Sequence, residues 1–231
     1  MNSLLNSDFE KACTLFEKEA GRTELFGLLE NGTVVEKQVA ALLIDEIVSE
    51  EDAKIFISNL TGCDGKIREA VASRLCEFLT ETSVQKWLSK YPDIFANATI
   101  DIDSNVCRNV IDILPQLKNY EDFAKKYSEN LIQFIKTAVN EIKNFSFKDK
   151  KYKYNKQYFK LYWSLEGLCY FTDFINASDI EFIIQNTATC PEYTVREKLA
   201  KFITFLPDKY SDIADKLKND ENYYVRAALL S

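Results

Sequence analysis

Tyr162, Trp163, Glu166, Tyr170 and Asp173 are the residues of this chain whose types and spacing best suit recognition chemistry. At a helical advance of about 100° per residue they gather on one side with Phe159 and Phe174, opposite Leu161, Leu165, Leu168 and Ile175. The leucine stripe serves a core. An aromatic stripe with two carboxylates suits a cation, such as Lys, Arg or a methylated ammonium, or a protein interface. A helix packed on both sides would use the same aromatics, so the stripe reads as core or as binding surface.

A second segment is basic and aromatic. Between Lys143 and Lys160 seven Lys accompany one Asp, interleaved with Phe145, Phe147, Tyr152, Tyr154, Tyr158 and Phe159. Such a pattern can track a phosphate backbone and stack bases. The net charge of −7 over the whole chain opposes polyanion binding. The plainer reading of residues 145–155 is a solvated connection between helices.

Much other chemistry is excluded. There is no histidine, so Ser-His-Asp and Cys-His relays cannot be built. The six cysteines, Cys13, Cys63, Cys76, Cys107, Cys169 and Cys190, form no C-x-x-C pair, and no metal site of the zinc type is expected. Neither G-x-x-x-x-G-K-[ST] nor G-x-G-x-x-G occurs, which removes the usual phosphate cradles. No cofactor is expected, and a binding module is favoured over an enzyme. No run approaches the roughly 18 apolar residues of a membrane span. Residues 1–10 lack the basic start and apolar run of a signal peptide. With cysteines in helical patterns acting as small hydrophobes, a cytoplasmic setting is expected.

The elements that position these residues are helices. Six Gly, four Pro and 46% hydrophobic residues favour long helices around a core. A phrase, apolar-Arg-x-x-apolar, returns at Ile67-Arg68, Cys107-Arg108, Val195-Arg196 and Val225-Arg226, with weaker copies at Val35-Glu36 and Phe159-Lys160. Its mean spacing of about 38 residues predicts stacked two-helix units, the phrase opening each second helix. Asp64, Ser104 and Asn222, three residues before the phrase, are good N-caps, as is Ser49; Ser7-Asp-Phe-Glu10 and Ser178-Asp-Ile-Glu181 have the capping-box form. The predicted pairs span 7–48, 50–80, 83–117, 120–175, 178–206 and 208–231, within a single domain over 1–231. Helices are predicted at 33–48, 83–96 and 156–175 among them.

This pattern resembles the HEAT-like repeat family. The resemblance implies an all-α, right-handed α-solenoid of about six helix pairs. It also implies that Arg68, Arg108, Arg196 and Arg226 order the stack by bonding between neighbouring repeats, with Glu36 and Lys160 as departures. A further resemblance, to the HEAT-like bacterial DNA alkylation repair glycosylases, rests on Trp163, Glu166 and Arg196, with a Trp-to-acid spacing of three instead of four and Glu in place of Asp. The function expected is a non-catalytic scaffold that binds a protein partner carrying basic or cationic groups. The alternative is nucleic-acid binding, with glycosylase activity on alkylated bases, and no membrane association is expected.

Overall fold

The computed structural model describes residues 10, 11, 13–15, 17, 18, 20–145, 151–206 and 210–230, with Tyr154 described by its backbone alone. Among these residues every regular element is a helix. They divide into two compact units, Met1–Tyr120 and Glu121–Ser231.

The first unit contains α1 (Arg22–Asn31), α2 (Val34–Leu43), α3 (Glu50–Ser58), α4 (Gly65–Phe78), α5 (Thr82–Leu88), α6 (Pro92–Thr99) and α7 (Ser104–Leu117). Helices α1, α3 and α5 pack side by side in one layer, and α2, α4 and α7 in the other. The second unit contains α8 (Glu121–Asn144), α9 (Lys151–Leu168), a 3-10 turn (Thr172–Phe174), α10 (Ala177–Thr187), α11 (Tyr193–Thr204), α12 (Ser211–Leu217) and α13 (Tyr223–Ala228). There α9, α11 and α13 form one layer, with α8 against α9 and α10 and α12 against α11. This layered pairing is an all-α helical repeat of the solenoid class: each helix buries one stripe on its pair mate and another on the next repeat.

Local chemistry sets the boundaries. Ser49 caps α3 by accepting from the Asp52 N–H, and Thr33 and Glu36 make a reciprocal capping box at α2. The helix predicted over 83–96 is two helices, because Pro92 cannot donate and pushes Tyr91 out of helical geometry (φ −119°), restarting the chain as α6. The helix predicted over 33–48 ends at Leu43. The Ser178–Glu181 box does not form. Asn176 caps α10 instead, accepting from the Asp179 N–H at 2.9 Å and donating to the Asp179 carboxylate at 2.7 Å. Ser7 of the other predicted box lies outside the described residues.

The helix predicted over 156–175 stops at Leu168. Phe171 then turns inward against Phe123 and Tyr127, at 6.2 and 5.1 Å between ring centres, and the 3-10 turn returns Ile175 to the core. A continuous helix would hold Phe171 and Ile175 about 40° apart on one surface; the break lets each fill a separate gap.

Cysteine accessibility follows from this packing. Cys63 and Cys76 are exposed, Cys13 half-buried, and Cys107, Cys169 and Cys190 buried. Burial, reinforced by the nearby Asp101, pushes the Cys107 thiol up to about 12; burial beside Glu166 does the same for Cys169, and burial raises Cys190. A thiol-alkylating reagent should therefore modify Cys63 and Cys76 promptly in the folded protein and the three buried cysteines only on unfolding. Peptide mass mapping reads the order; early modification of Cys169 would show that α9 and α11 are not closed on each other.

Candidate functional site: an aromatic cleft on the second unit

The recurring phrase is a set of clamps. Arg68, four residues after its cap Asp64, donates from Nη1 to the Gly62 carbonyl at 2.7 Å and grips Asp101 of the next repeat with Nε and Nη2 at 2.6 and 3.0 Å. Arg196 repeats this arrangement. Its Nη1 donates to the Cys190 carbonyl at 2.6 Å, and Nε and Nη2 hold Asp220 at 2.7 and 3.0 Å. Each Asp also accepts from a cap backbone, Asp101 from the Asp103 N–H and Asp220 from the Asn222 N–H. The Arg196 guanidinium holds the Asp220 carboxyl below the usual carboxylate range. Arg226 donates to the Asp220 carbonyl at 2.6 Å.

Arg108 is different. The cap of α7 is Asp103, not Ser104, so the helix starts one residue earlier than its repeats imply. The fourth position after the cap is Cys107, whose Sγ lies 3.1 Å from the Asp101 carbonyl, six residues back, where α4, α11 and α13 place an arginine. Arg108 falls one position further on and is exposed. In α2 the corresponding residue is Lys37, with Nζ 2.8 Å from the Glu30 carbonyl, and not Glu36, which serves the cap. The slip is set by Asp101, itself held by Arg68 of the preceding repeat: Asp101 draws the Asp103 N–H into its carboxylate and leaves the Asp103 side chain to cap Asn105.

The aromatic residues of α9 line an open cleft of about 520 Å³ together with the N-terminus of α11. Trp163, Tyr162, Phe159 and Tyr158 form its floor, with Lys151, Asn155, Glu192 and Thr194 at the rim. Trp163 is only 8% exposed. Its ring meets Tyr162 edge-on at 4.9 Å and 85°, and Phe159 at 6.0 Å. The indole Nε1–H is buried and finds no acceptor among the described residues. The same helix face therefore serves partly as core and partly as cleft wall.

Glu166 lies behind that floor, buried and doubly paired. Lys201 Nζ lies 2.5 Å from Oε1, and Lys198 Nζ lies 2.9 Å from Oε2, in ion contact without the alignment of a hydrogen bond. Lys198 Nζ also stands 4.7 Å over the Tyr162 ring. Burial pushes the Glu166 carboxyl up, but Lys201 and Lys198 outweigh it and hold the group below its ordinary range. Burial lowers both lysines, and Glu166 more than offsets this, so both are raised. The carboxylate thus fixes Lys198, and Lys198 supports Tyr162. A second cleft of about 550 Å³ lies beyond, lined by Lys198, Lys201 and Phe205 of the α11 side and Tyr224 of α13.

Three of the five residues singled out in the sequence, Tyr162, Trp163 and Glu166, come together here. Tyr170 and Asp173 do not: the break after Leu168 carries them past the helix end, half-buried and exposed, where the helical wheel no longer applies. Glu192, Thr194, Lys198 and Lys201 were not picked out, since their relation to α9 exists only once α11 packs on it. The triplet Trp163, Glu166 and Arg196 is not free for base chemistry, because two lysines hold Glu166 and Asp220 holds Arg196. In the basic segment, residues 146–150 and the Tyr154 side chain lie outside the described residues. Lys143 donates to the Asn186 side chain at 2.7 Å; Lys151, Lys153 and Lys156 are exposed, and burial with Lys156 nearby lowers Lys160. Among the described residues no three Cys, Asp or Glu converge as metal ligands, and no helix is long and apolar enough to cross a membrane.

Fold and site together define a helical-repeat protein with an aromatic cleft on one layer. Its likeness is to a chain from the complex of CpcE and CpcF of phycocyanin lyase from Nostoc sp. PCC7120, at 16% identity and a TM-score of 0.50, over 92% of this chain and 76% of that one. An engineered protein aligns with a TM-score of 0.47 and 14% identity, over 90% of this chain and 93% of that one. No family profile and no curated protein sequence matches the chain.

Proposed function

We propose that the protein is a partner-binding helical-repeat module, without chemistry of its own, that docks a protein partner in the aromatic cleft between α9 and α11. The observation that carries this reading is the open cleft of about 520 Å³ floored by Tyr158, Phe159, Tyr162 and Trp163. Aromatic residues and an open rim are the composition of interface hot spots. The likeness to a chain from a two-protein complex supports the same class of role.

The test uses the rim, because Trp163 is itself packed. Affinity capture on the immobilised protein should retain a partner that is lost on Asn155→Arg, which projects bulk and charge into the cleft from an exposed position. Thermal unfolding of that variant should be unchanged. Retention of the same partner by Asn155→Arg would place its contacts elsewhere and remove this reading. A second reading, a lyase-type activity, is favoured by the similarity to a chain from the phycocyanin lyase complex. It is separated by whether the captured partner is covalently altered after release, read as a change in intact mass.

A further inference from the structure

Beyond the cleft, we infer that α13 and the loop before it form a self-complementary docking surface for a second copy of this chain, in which Arg226 of each copy grips Glu221 of the other about a two-fold axis. The chain's own clamps show what an arginine at this register takes. Arg68 and Arg196 each set Nη1 on a loop carbonyl six residues back and place Nε and Nη2 on both oxygens of an aspartate in the next repeat. Arg226 makes the first half of that arrangement. Its Nη1 takes the Asp220 carbonyl at 2.6 Å and the Glu221 carbonyl at 2.9 Å, while Nε and Nη2 meet no carboxylate among the described residues. A guanidinium held by one edge with the other open is pre-organised for a two-pronged carboxylate.

The same patch carries the matching acid. Glu221 is 91% exposed, and its contact with Arg196 Nη2 is long, at 3.7 Å, because Asp220 already holds that guanidinium. A two-fold contact brings one patch against itself, so the patch must supply both halves of every pair. Here an open arginine edge and an open carboxylate lie five residues apart. The surface around them is apolar and fixed in advance. Tyr223, Tyr224 and Leu230 are 66%, 60% and 89% exposed. Tyr224 meets Tyr223 at 5.7 Å and stacks on Tyr193 at 6.2 Å and 27°. Tyrosine and arginine are the residues that anchor interfaces. In this layer α11 packs on one side of α13, and among the described residues no helix of the layer follows on the other. Charge does not oppose the contact. From Glu192 to Leu230, Glu192, Glu197, Asp208, Asp212, Asp215, Asp220 and Glu221 are balanced by Arg196, Lys198, Lys201, Lys209, Lys216, Lys218 and Arg226. The two copies therefore meet through a neutral region, although the whole chain carries −7.

Sedimentation velocity on the 231-residue protein, over about 1–200 µM, should show a monomer–dimer equilibrium with a Kd of about 1–100 µM. Glu221→Arg and Arg226→Glu should each weaken self-association about tenfold or more, because each sets like charges opposite one another in both contacts. Mixing the two variants should restore a dimer to within about threefold of the original strength, since one contact is then native and the other is the same pair reversed. Arg226 also supports its own loop, so thermal unfolding is read for each variant. If Arg226→Glu does not fold, Glu221→Arg and Tyr223→Ser, both at exposed side chains, still decide the matter by weakening the dimer or leaving it unchanged. A protein that stays monomeric throughout the range overturns the inference and leaves the open edge of Arg226 to an acid of a different partner. Undiminished self-association of Glu221→Arg, or a mixture no tighter than its two components, also overturns it. So does loss of the dimer on Asn155→Arg, which would place the self-contact in the cleft; loss of partner capture by that variant, with the dimer intact, separates the two surfaces.

Discussion

Arg68→Met is expected to destabilise the Met1–Tyr120 unit by about 3 kcal/mol, while Arg108→Met changes it by less than about 0.5 kcal/mol. The two arginines occupy the same place in the sequence phrase but different places in the fold. Arg68 is only 8% exposed in its side chain and pairs in two-pronged fashion with Asp101, itself 10% exposed. Removing the guanidinium leaves a largely buried carboxylate without its cation and strips the Gly62 carbonyl of a donor. Lysine would not restore the geometry, because one ammonium cannot serve both carboxylate oxygens and the loop carbonyl. Arg108 points to solvent and loses little. Denaturant unfolding of both variants, with Asp101→Asn added to close a double-mutant cycle, measures the pair. Equal losses for Arg68→Met and Arg108→Met would show that the one-residue slip of α7 is not real.

Glu166→Gln should destabilise the second unit by about 2–3 kcal/mol, at the lower end for a buried ion pair because Lys201 keeps 34% of its side-chain surface exposed and is partly screened. The amide would leave two ammonium groups, one of them 14% exposed, beside an aromatic floor with no counter-charge. Lys201→Met, which retains the Glu166–Lys198 contact, should lose less. The pH dependence has a definite sign. The folded Glu166 carboxyl sits below its unfolded value, so its contribution is complete above the ordinary carboxylate range and is lost as pH falls through the lowered folded value. Lys198 and Lys201 are raised, so their contribution is complete below the ordinary lysine range and fades only as pH rises through their folded values. Between roughly pH 5 and 9 the cluster adds no slope to stability. Acid unfolding followed by Trp fluorescence should show a loss below about pH 4 that Glu166→Gln reduces, the remainder coming from Asp220, which Arg196 also holds low. A variant with unchanged stability and acid profile would mean that Glu166 does not organise the cleft floor.

Helix identity, most caps and the phrase-bearing layer were legible in the chain because each depends on near neighbours. An i, i+4 apolar pair and an Asp or Ser before it act within one or two turns. Ser49, Asp64 and Asn222 cap the helices that the pattern assigned to them. The start of α7 was not legible in the same way. Asp103 and Ser104 are both competent caps, and the choice between them is made by Asp101, which is engaged by Arg68 from 33 residues earlier. The continuation of α9 past Leu168 failed for a related reason, since the pull on Phe171 comes from Phe123 and Tyr127 of α8.

By itself, then, the sequence determined an all-α repeat and a helix with aromatics and acids too numerous for a simple amphipathic stripe, because periodicity and composition are properties of short windows. Only the tertiary structure decided what that helix does with them. Whether Glu166 faced a ligand cation or a lysine of its own chain depended on α11 bringing in Lys198 and, 35 residues on, Lys201. Once both are paired with it, the acid becomes a support for Tyr162. Charge and hydrogen-bond capacity are spent pairwise in three dimensions, and the partners of a buried group cannot be read from its position along the chain.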